Sequence, residues 1–239
     1  MSSRGFPMNE KLLRYSAEGN LEKALALLDK GANPNVSDEY GYTPLLLAAS
    51  EGKEELEKVL IERGADVNAK TTSGWTALLW AASMGYAEIV NLLAKKGADL
   101  EAKDQYGATP LMKACRRGYF DVTTTLLENG ANVNSKDDYG WTPLMRACRK
   151  GYFDIIKILL DHGADTEASD QYGATALIIS ASEFNINGVK LLLERGANPN
   201  ATDRNGWTAL RWASSMRYDP IVKILESFSS PNPNPGQLP

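Results

Sequence analysis

The sequence predicts an all-α repeat solenoid, and three observations carry that prediction. Gly41, Gly74, Gly107, Gly140, Gly173 and Gly206 stand 33 residues apart without a slip. A threonine follows each of them two positions later, at Thr43, Thr76, Thr109, Thr142, Thr175 and Thr208. A second glycine set, Gly31, Gly64, Gly97, Gly130, Gly163 and Gly196, keeps the same spacing and is always followed by alanine. A fixed period of this length marks a solenoid whose units bury their apolar faces against one another. Function is therefore expected on the surface that stacking creates rather than in a catalytic pocket.

Each unit justifies its own elements. The threonine hydroxyl accepts from free amides of a helix's first turn, and Pro44, Pro110 and Pro143 directly after it fit the first helical position. Gly52, Gly85, Gly118 and Gly151 stop that helix, because glycine tolerates the left-handed conformation. A second helix follows with an apolar stripe, such as Ile89, Val90, Leu92 and Leu93, or Ile155, Ile156, Ile158, Leu159 and Leu160. The Gly-Ala-Asx stop and an Asp-x-x-Gly turn complete the unit. Residues 9–35 form an N-terminal capping unit without the Thr-Pro start. Full units are predicted at 36–68, 69–101, 102–134, 135–167 and 168–200, with a C-terminal cap at 201–227. Residues 1–8 are an extension, and the proline-rich stretch 228–239 is expected to be disordered. Phe184 and Arg217 stand where earlier units have the first-helix glycine.

Thr-Pro-Leu recurs at 43–45, 109–111 and 142–144, and appears as Thr-Ala-Leu at 76–78, 175–177 and 208–210. Six such matches in phase resemble the ankyrin repeat over residues 9–227. The resemblance implies stacked helix-turn-helix units with β-hairpin or turn fingers. It also implies a concave face made by the finger tips and the exposed side of the first helix, and a non-enzymatic protein-binding role. Repeats about 10 Å apart would keep Cys115 and Cys148 from bridging, since disulfide Cα atoms lie within roughly 7 Å. Both are therefore expected to be small core residues.

Composition narrows the field further. The formal charge of −4 argues against indiscriminate binding to nucleic acid or acidic membranes. No apolar run reaches a membrane span, and Met1 to Asn20 lacks the apolar core of a signal peptide. A cytoplasmic monomer is expected, with a nuclear or exported protein left open. The single histidine, His162, sits near a helix end where it can bond the last carbonyls, and neither a metal site nor a cofactor is expected.

Binding residues are sought where the repeats diverge. The column ending the first helix reads Ser50, Ser83, Arg116, Arg149, Ser182, Ser215, and the next reads Glu51, Met84, Arg117, Lys150, Glu183, Met216. One turn earlier come Leu47, Trp80, Lys113, Arg146, Ile179 and Trp212. Six cations thus converge on two repeats, either as a recognition site or as a solvated patch balanced by Asp104, Asp121, Asp137, Asp138 and Asp154. Two like charges 10 Å apart in water repel by about 0.4 kcal/mol, which an anionic ligand would relieve. Trp75, Trp80, Trp141 and Trp212 are the expected apolar anchors, Met84 joins them on the expected concave binding surface, and Tyr40, Tyr42, Tyr106, Tyr139, Tyr172 and Trp207 supply secondary contacts at the finger tips. The expected function is a protein-interaction module or scaffold holding an extended acidic or phosphorylated segment. The alternatives are a receptor for a phosphorylated small molecule or short oligonucleotide, and a purely structural or engineered repeat scaffold. One histidine and no paired carboxylates in a predicted cleft argue against an enzyme.

Overall fold

The computed structural model of the chain describes residues 7–229. Among the described residues it has fourteen helices and no strand, an all-α repeat solenoid. The first helices of successive repeats are α1 (Met8–Glu18), α3 (Pro44–Ser50), α5 (Ala77–Met84), α7 (Pro110–Arg117), α9 (Pro143–Lys150), α11 (Ala176–Ser182) and α13 (Ala209–Ser215). The second helices are α2 (Leu21–Leu28), α4 (Glu54–Glu62), α6 (Ala87–Lys95), α8 (Phe120–Glu128), α10 (Phe153–Asp161), α12 (Ile186–Glu194) and α14 (Asp219–Ser229). Helix α14 runs two residues beyond the expected end of the array, and the rest of the stretch expected to be disordered lies outside the described residues.

The predicted start signals act as expected. Thr43, Thr76, Thr142, Thr175 and Thr208 each accept a hydrogen bond from the amide three residues on, at Leu46, Leu79, Met145, Ile178 and Arg211. The glycine stop is equally direct at Gly85 and Gly151, which sit at φ 88° and 72°. Phe184 and Arg217 adopt the same conformation without being glycine, at φ 62° and 59°. An L-residue there carries a penalty of about 1–2 kcal/mol.

Contacts divide the chain into two units. The first takes the described residues up to Ala114 together with Asp121–Asn132, and within it α3 packs on α1 and α5 while α4 packs on α2 and α6. The second takes Cys115–Phe120 and the residues from Val133 on, and within it α11 packs on α9 and α13 while α12 packs on α10 and α14. Small residues such as Ala48, Ala81, Ala147 and Ala213 are fully buried on the first helices, where they let neighbouring backbones approach. Cys115 and Cys148 are both buried core thiols. Burial pushes the Cys148 thiol up to about 12, so it is an inert core residue at neutral pH.

The fingers are turns rather than strand pairs. Asp38 Oδ1 accepts from the Tyr40 and Tyr42 amides, and Asp104, Asp137, Asp170 and Asp203 repeat the arrangement. The carboxylate therefore organises the amides that strand pairing would otherwise use. Successive tips join through single backbone bonds, Thr72 to Tyr40 and Gln105 to Ser73 in the first unit, Gln171 to Tyr139 and Arg204 to Tyr172 in the second.

One core position breaks the pattern. Where α6, α10 and α12 place Val90, Ile156 and Val189, α4 places Glu57, which is 0% exposed. Neither carboxyl oxygen has a hydrogen-bond partner among the described residues. Burial, aided by the Glu54 carboxylate, raises its pKa from 4.5 to about 9, so the side chain is neutral at physiological pH.

Candidate functional site

The loop aspartate of a repeat has two oxygens and two tasks. Oδ1 holds the turn, and Oδ2 faces the residue nine positions on, in the first helix. In the fourth repeat that residue is Lys113, which pairs with Asp104, and in the fifth it is Arg146, which pairs with Asp137. In the seventh repeat Trp212 Nε1 donates to Asp203 Oδ2 at 3.0 Å. The second and sixth repeats keep Asp38 and Asp170 for the turn but carry Leu47 and Ile179 on the helix. The third repeat has Thr71 instead, whose hydroxyl takes the Trp75 amide, and Trp80 Nε1 is left buried without a hydrogen-bond partner among the described residues.

This geometry corrects the reading of Lys113 and Arg146 as surface cations. The Lys113 side chain is 7% exposed and that of Arg146 17%. Lys113 Nζ lies 4.7 Å from the Trp75 ring centroid, and the Arg146 guanidinium 4.7 Å from that of Trp141. Each cation is thus neutralised by a buried carboxylate and covered by an indole. Burial alone would raise the Asp104 carboxyl, but the Lys113 ammonium and the Tyr106 and Ala108 amides hold it below the ordinary range. Asp203 behaves alike: burial opposes ionisation, while the Trp207 amide, the Trp212 indole and the Asn205 amide favour it.

The expected aromatic anchors are largely occupied with one another. Trp80 lies between Tyr42, at 6.4 Å, and Trp75, at 4.3 Å between centroids. Trp207 and Trp212 pack at 4.8 Å. All five of these rings are half-buried, whereas Tyr40, Tyr106, Tyr139, Tyr172 and Met84 are exposed. His162 Nδ1 meets the Ile158 carbonyl at 2.9 Å as its position suggested, and no metal-binding cluster exists among the described residues.

The cations still available lie in the second unit. Arg116, Arg117, Arg149 and Lys150 are exposed at the ends of α7 and α9. With Arg146 and Tyr152 they line an open depression of about 510 Å³. Arg149 reaches Glu183 at 3.6 Å across a half-exposed gap, a contact that solvent makes weak. Arg116, Arg117 and Lys150 have no acidic partner among the described residues. The two helices end here in cations because the carbonyl ends of helices favour positive charge, but that effect does not require four of them together.

The comparisons agree with this architecture. A family model described as ankyrin repeats (3 copies) matches residues 12–104 and 100–170, and one described as ankyrin repeats (many copies) matches 159–213. The chain belongs to the ankyrin repeat family. The crystal structure of the human ASB11 ankyrin repeat domain is similar to it at 30% identity with a TM-score of 0.81, covering 92% of this chain and 98% of that one. None of the curated proteins compared with it matches. Ankyrin repeats are generally protein-interaction modules that bind other proteins, and the fold is typically non-enzymatic. Among the described residues, no helix is long and apolar enough to cross a membrane.

Column reading of the ankyrin repeats missed several residues around the depression. Phe184 and Asn185 break columns that mostly hold glycine and tyrosine at the join between the first and second helices, whereas Tyr152 follows its column and gives no such signal.

Proposed function

We propose that the chain is a non-enzymatic ankyrin interaction module whose second unit captures an acidic or phosphorylated segment of a protein partner. The observation that carries this reading is the set Arg116, Arg117 and Lys150, exposed and without acidic partners beside Arg149. Such a cluster repels itself in the free protein. Three arginine forks, at Arg116, Arg117 and Arg149, suit carboxylate or phosphate oxygens, which they can bind two at a time. Arg146 supports the site by fixing its turn and the Trp141 indole rather than by offering charge.

The test is fluorescence anisotropy with labelled peptides of three kinds: glutamate-rich, phosphoserine-containing, and neutral. Glutamate-rich or phosphoserine peptides are expected to bind and neutral ones not. Arg116→Glu with Arg149→Glu removes two charge-assisted contacts of about 1.5–3 kcal/mol each, so affinity should fall at least about a hundredfold with the helical content unchanged. Undiminished binding by that double variant overturns the reading. Displacement of bound peptide by free nucleotide at comparable concentration would instead favour a phosphorylated small-molecule ligand.

A further inference from the structure

Beside the basic depression lies a second one of about 440 Å³ that shares Arg149 and Lys150 with it. Its origin is a substitution in one column. The residue just before the second helix is Tyr86 in the third repeat and Tyr152 in the fifth, and each tyrosine ring lies flat on the glycine that ends the preceding repeat's first helix. A methyl group added at Gly52 would stand 2.7 Å from Tyr86 Cζ, and one added at Gly118 the same distance from Tyr152 Cζ. In the sixth repeat the residue is Asn185. It caps α12 by accepting from the Gly188 amide at 2.8 Å and donates to the Cys148 carbonyl at 3.1 Å. Its nearest atom to the same point above Gly151 is 3.9 Å away. Gly151 has the same left-handed backbone as Gly52 and Gly118, so the seat that receives a ring elsewhere is open here.

Phe184 and Ile186 give that seat two apolar, outward-facing walls among the polar side chains of Glu183, Asn185 and Asn187. Phe184 is 59% exposed, with its ring packed on that of Tyr218, and Ile186 is 39% exposed. Phe184 holds a left-handed conformation that glycine would adopt without strain, and side chains kept in such conformations cluster at binding sites. On one side of these walls stand Arg149 and Lys150.

We infer that the opening over Gly151, between Phe184 and Ile186, receives an aromatic side chain of the same partner segment whose anionic group lies on Arg116, Arg117 and Lys150. The inference rests on the proposed function and specifies its ligand: an extended segment with a carboxylate or phosphate and a ring a few residues apart. The ring would lie on Gly151 as Tyr86 lies on Gly52, and the charge complementarity of the adjoining depression commits the occupant to an acidic chain.

The test uses labelled dodecapeptides with either a central Glu-Glu pair or a central phosphoserine, in which each flanking position is glycine, leucine, phenylalanine or tyrosine. Wild type should prefer a ring at one flank over glycine by about tenfold, the scale of one apolar side chain gaining its contact. The glutamate and phosphoserine arms tell which anion is used. Asn185→Tyr fills the seat from within, as in the third and fifth repeats, and should abolish the ring preference while anion-dependent binding persists. Phe184→Gly should diminish the preference without loss of fold, and it decides the matter should circular dichroism show Asn185→Tyr unfolded. Anionic peptides binding without a ring preference, or a preference unchanged in the variants, overturns this inference and leaves the basic site standing. Failure of every anionic peptide to bind overturns both.

Discussion

Replacing Glu57 by valine should stabilise the N-terminal half of the array by an amount that depends on pH. The carboxyl is fully buried with no hydrogen-bond partner among the described residues, and its pKa rises from 4.5 to about 9 on folding. The folded state therefore keeps a proton that the unfolded state gives up above 4.5. Stability contributed by the protonated form is complete below pH 4.5 and falls as pH rises toward 9, by up to 1.36 kcal/mol per unit. Between pH 5 and pH 8 the wild type should lose about 4 kcal/mol from this group. The lowered carboxyls of Asp104 and Asp203 act below their ordinary value of 3.8, outside that window. Glu57→Val restores the side chain found at Val90 and Val189 and should be more stable than wild type at pH 7 by about 3 kcal/mol. Glu57→Gln should flatten the pH dependence while leaving an unpartnered polar group that costs about 1–3 kcal/mol. Urea unfolding followed by circular dichroism at several pH values measures all three proteins. Equal pH slopes for wild type and Glu57→Val would refute the reasoning.

Three further outcomes follow from the same geometry. Asp104→Asn strands the buried Lys113 ammonium and should cost about 3–5 kcal/mol, whereas Lys113→Leu approaches the arrangement of Asp170, buried over Ile179 without a cation, and should cost far less; urea midpoints in which the two variants match would contradict the pairing. Thr71→Asp should give Trp80 Nε1 the acceptor that Trp212 finds in Asp203, raising stability by about 1 kcal/mol, and an unchanged or lowered melting temperature counts against it. Arg217→Gly removes a left-handed penalty of about 1–2 kcal/mol but returns freedom to the unfolded chain; a net gain below about 1 kcal/mol is expected, with slower amide exchange in α13 and α14, and faster exchange there would count against the strain.

Much of this fold was legible because its determinants are local. Thr43 caps at Leu46 and Gly85 turns left-handed within a few residues of chain, and the period multiplies each signal. The fate of Lys113 was not legible from its column, because a column compares equivalent residues across repeats while its partner Asp104 lies nine residues upstream in the same repeat. Aspartates were visible as balancing charges, but not that one oxygen of each would be buried beneath a specific cation. Trp80 and Trp212 read as exposed anchors because tryptophan dominates binding hot spots. Their rings instead pack on Trp75, Tyr42 and Trp207. Glu57 and Asn185 stood in plain sight as breaks in hydrophobic and aromatic columns, yet what a break does depends on whether the position faces the core or solvent. The sequence pattern leaves that open.

The two-oxygen aspartate also constrains the order in which these repeats can have changed. Asp38 and Asp170 hold their turns with no cation beneath them, so the aspartate is tolerated alone. From the second repeat to the seventh, none has Lys or Arg at the ninth position without it; the first-repeat cap has Arg14 there, half-exposed and paired with Glu18. A lineage that acquired the cation first would have passed through a buried, unpaired charge, whereas one that acquired the aspartate first would not. Copying a whole repeat carries both members at once, which makes duplication the path of least resistance for spreading Lys113-like and Arg146-like positions along the array.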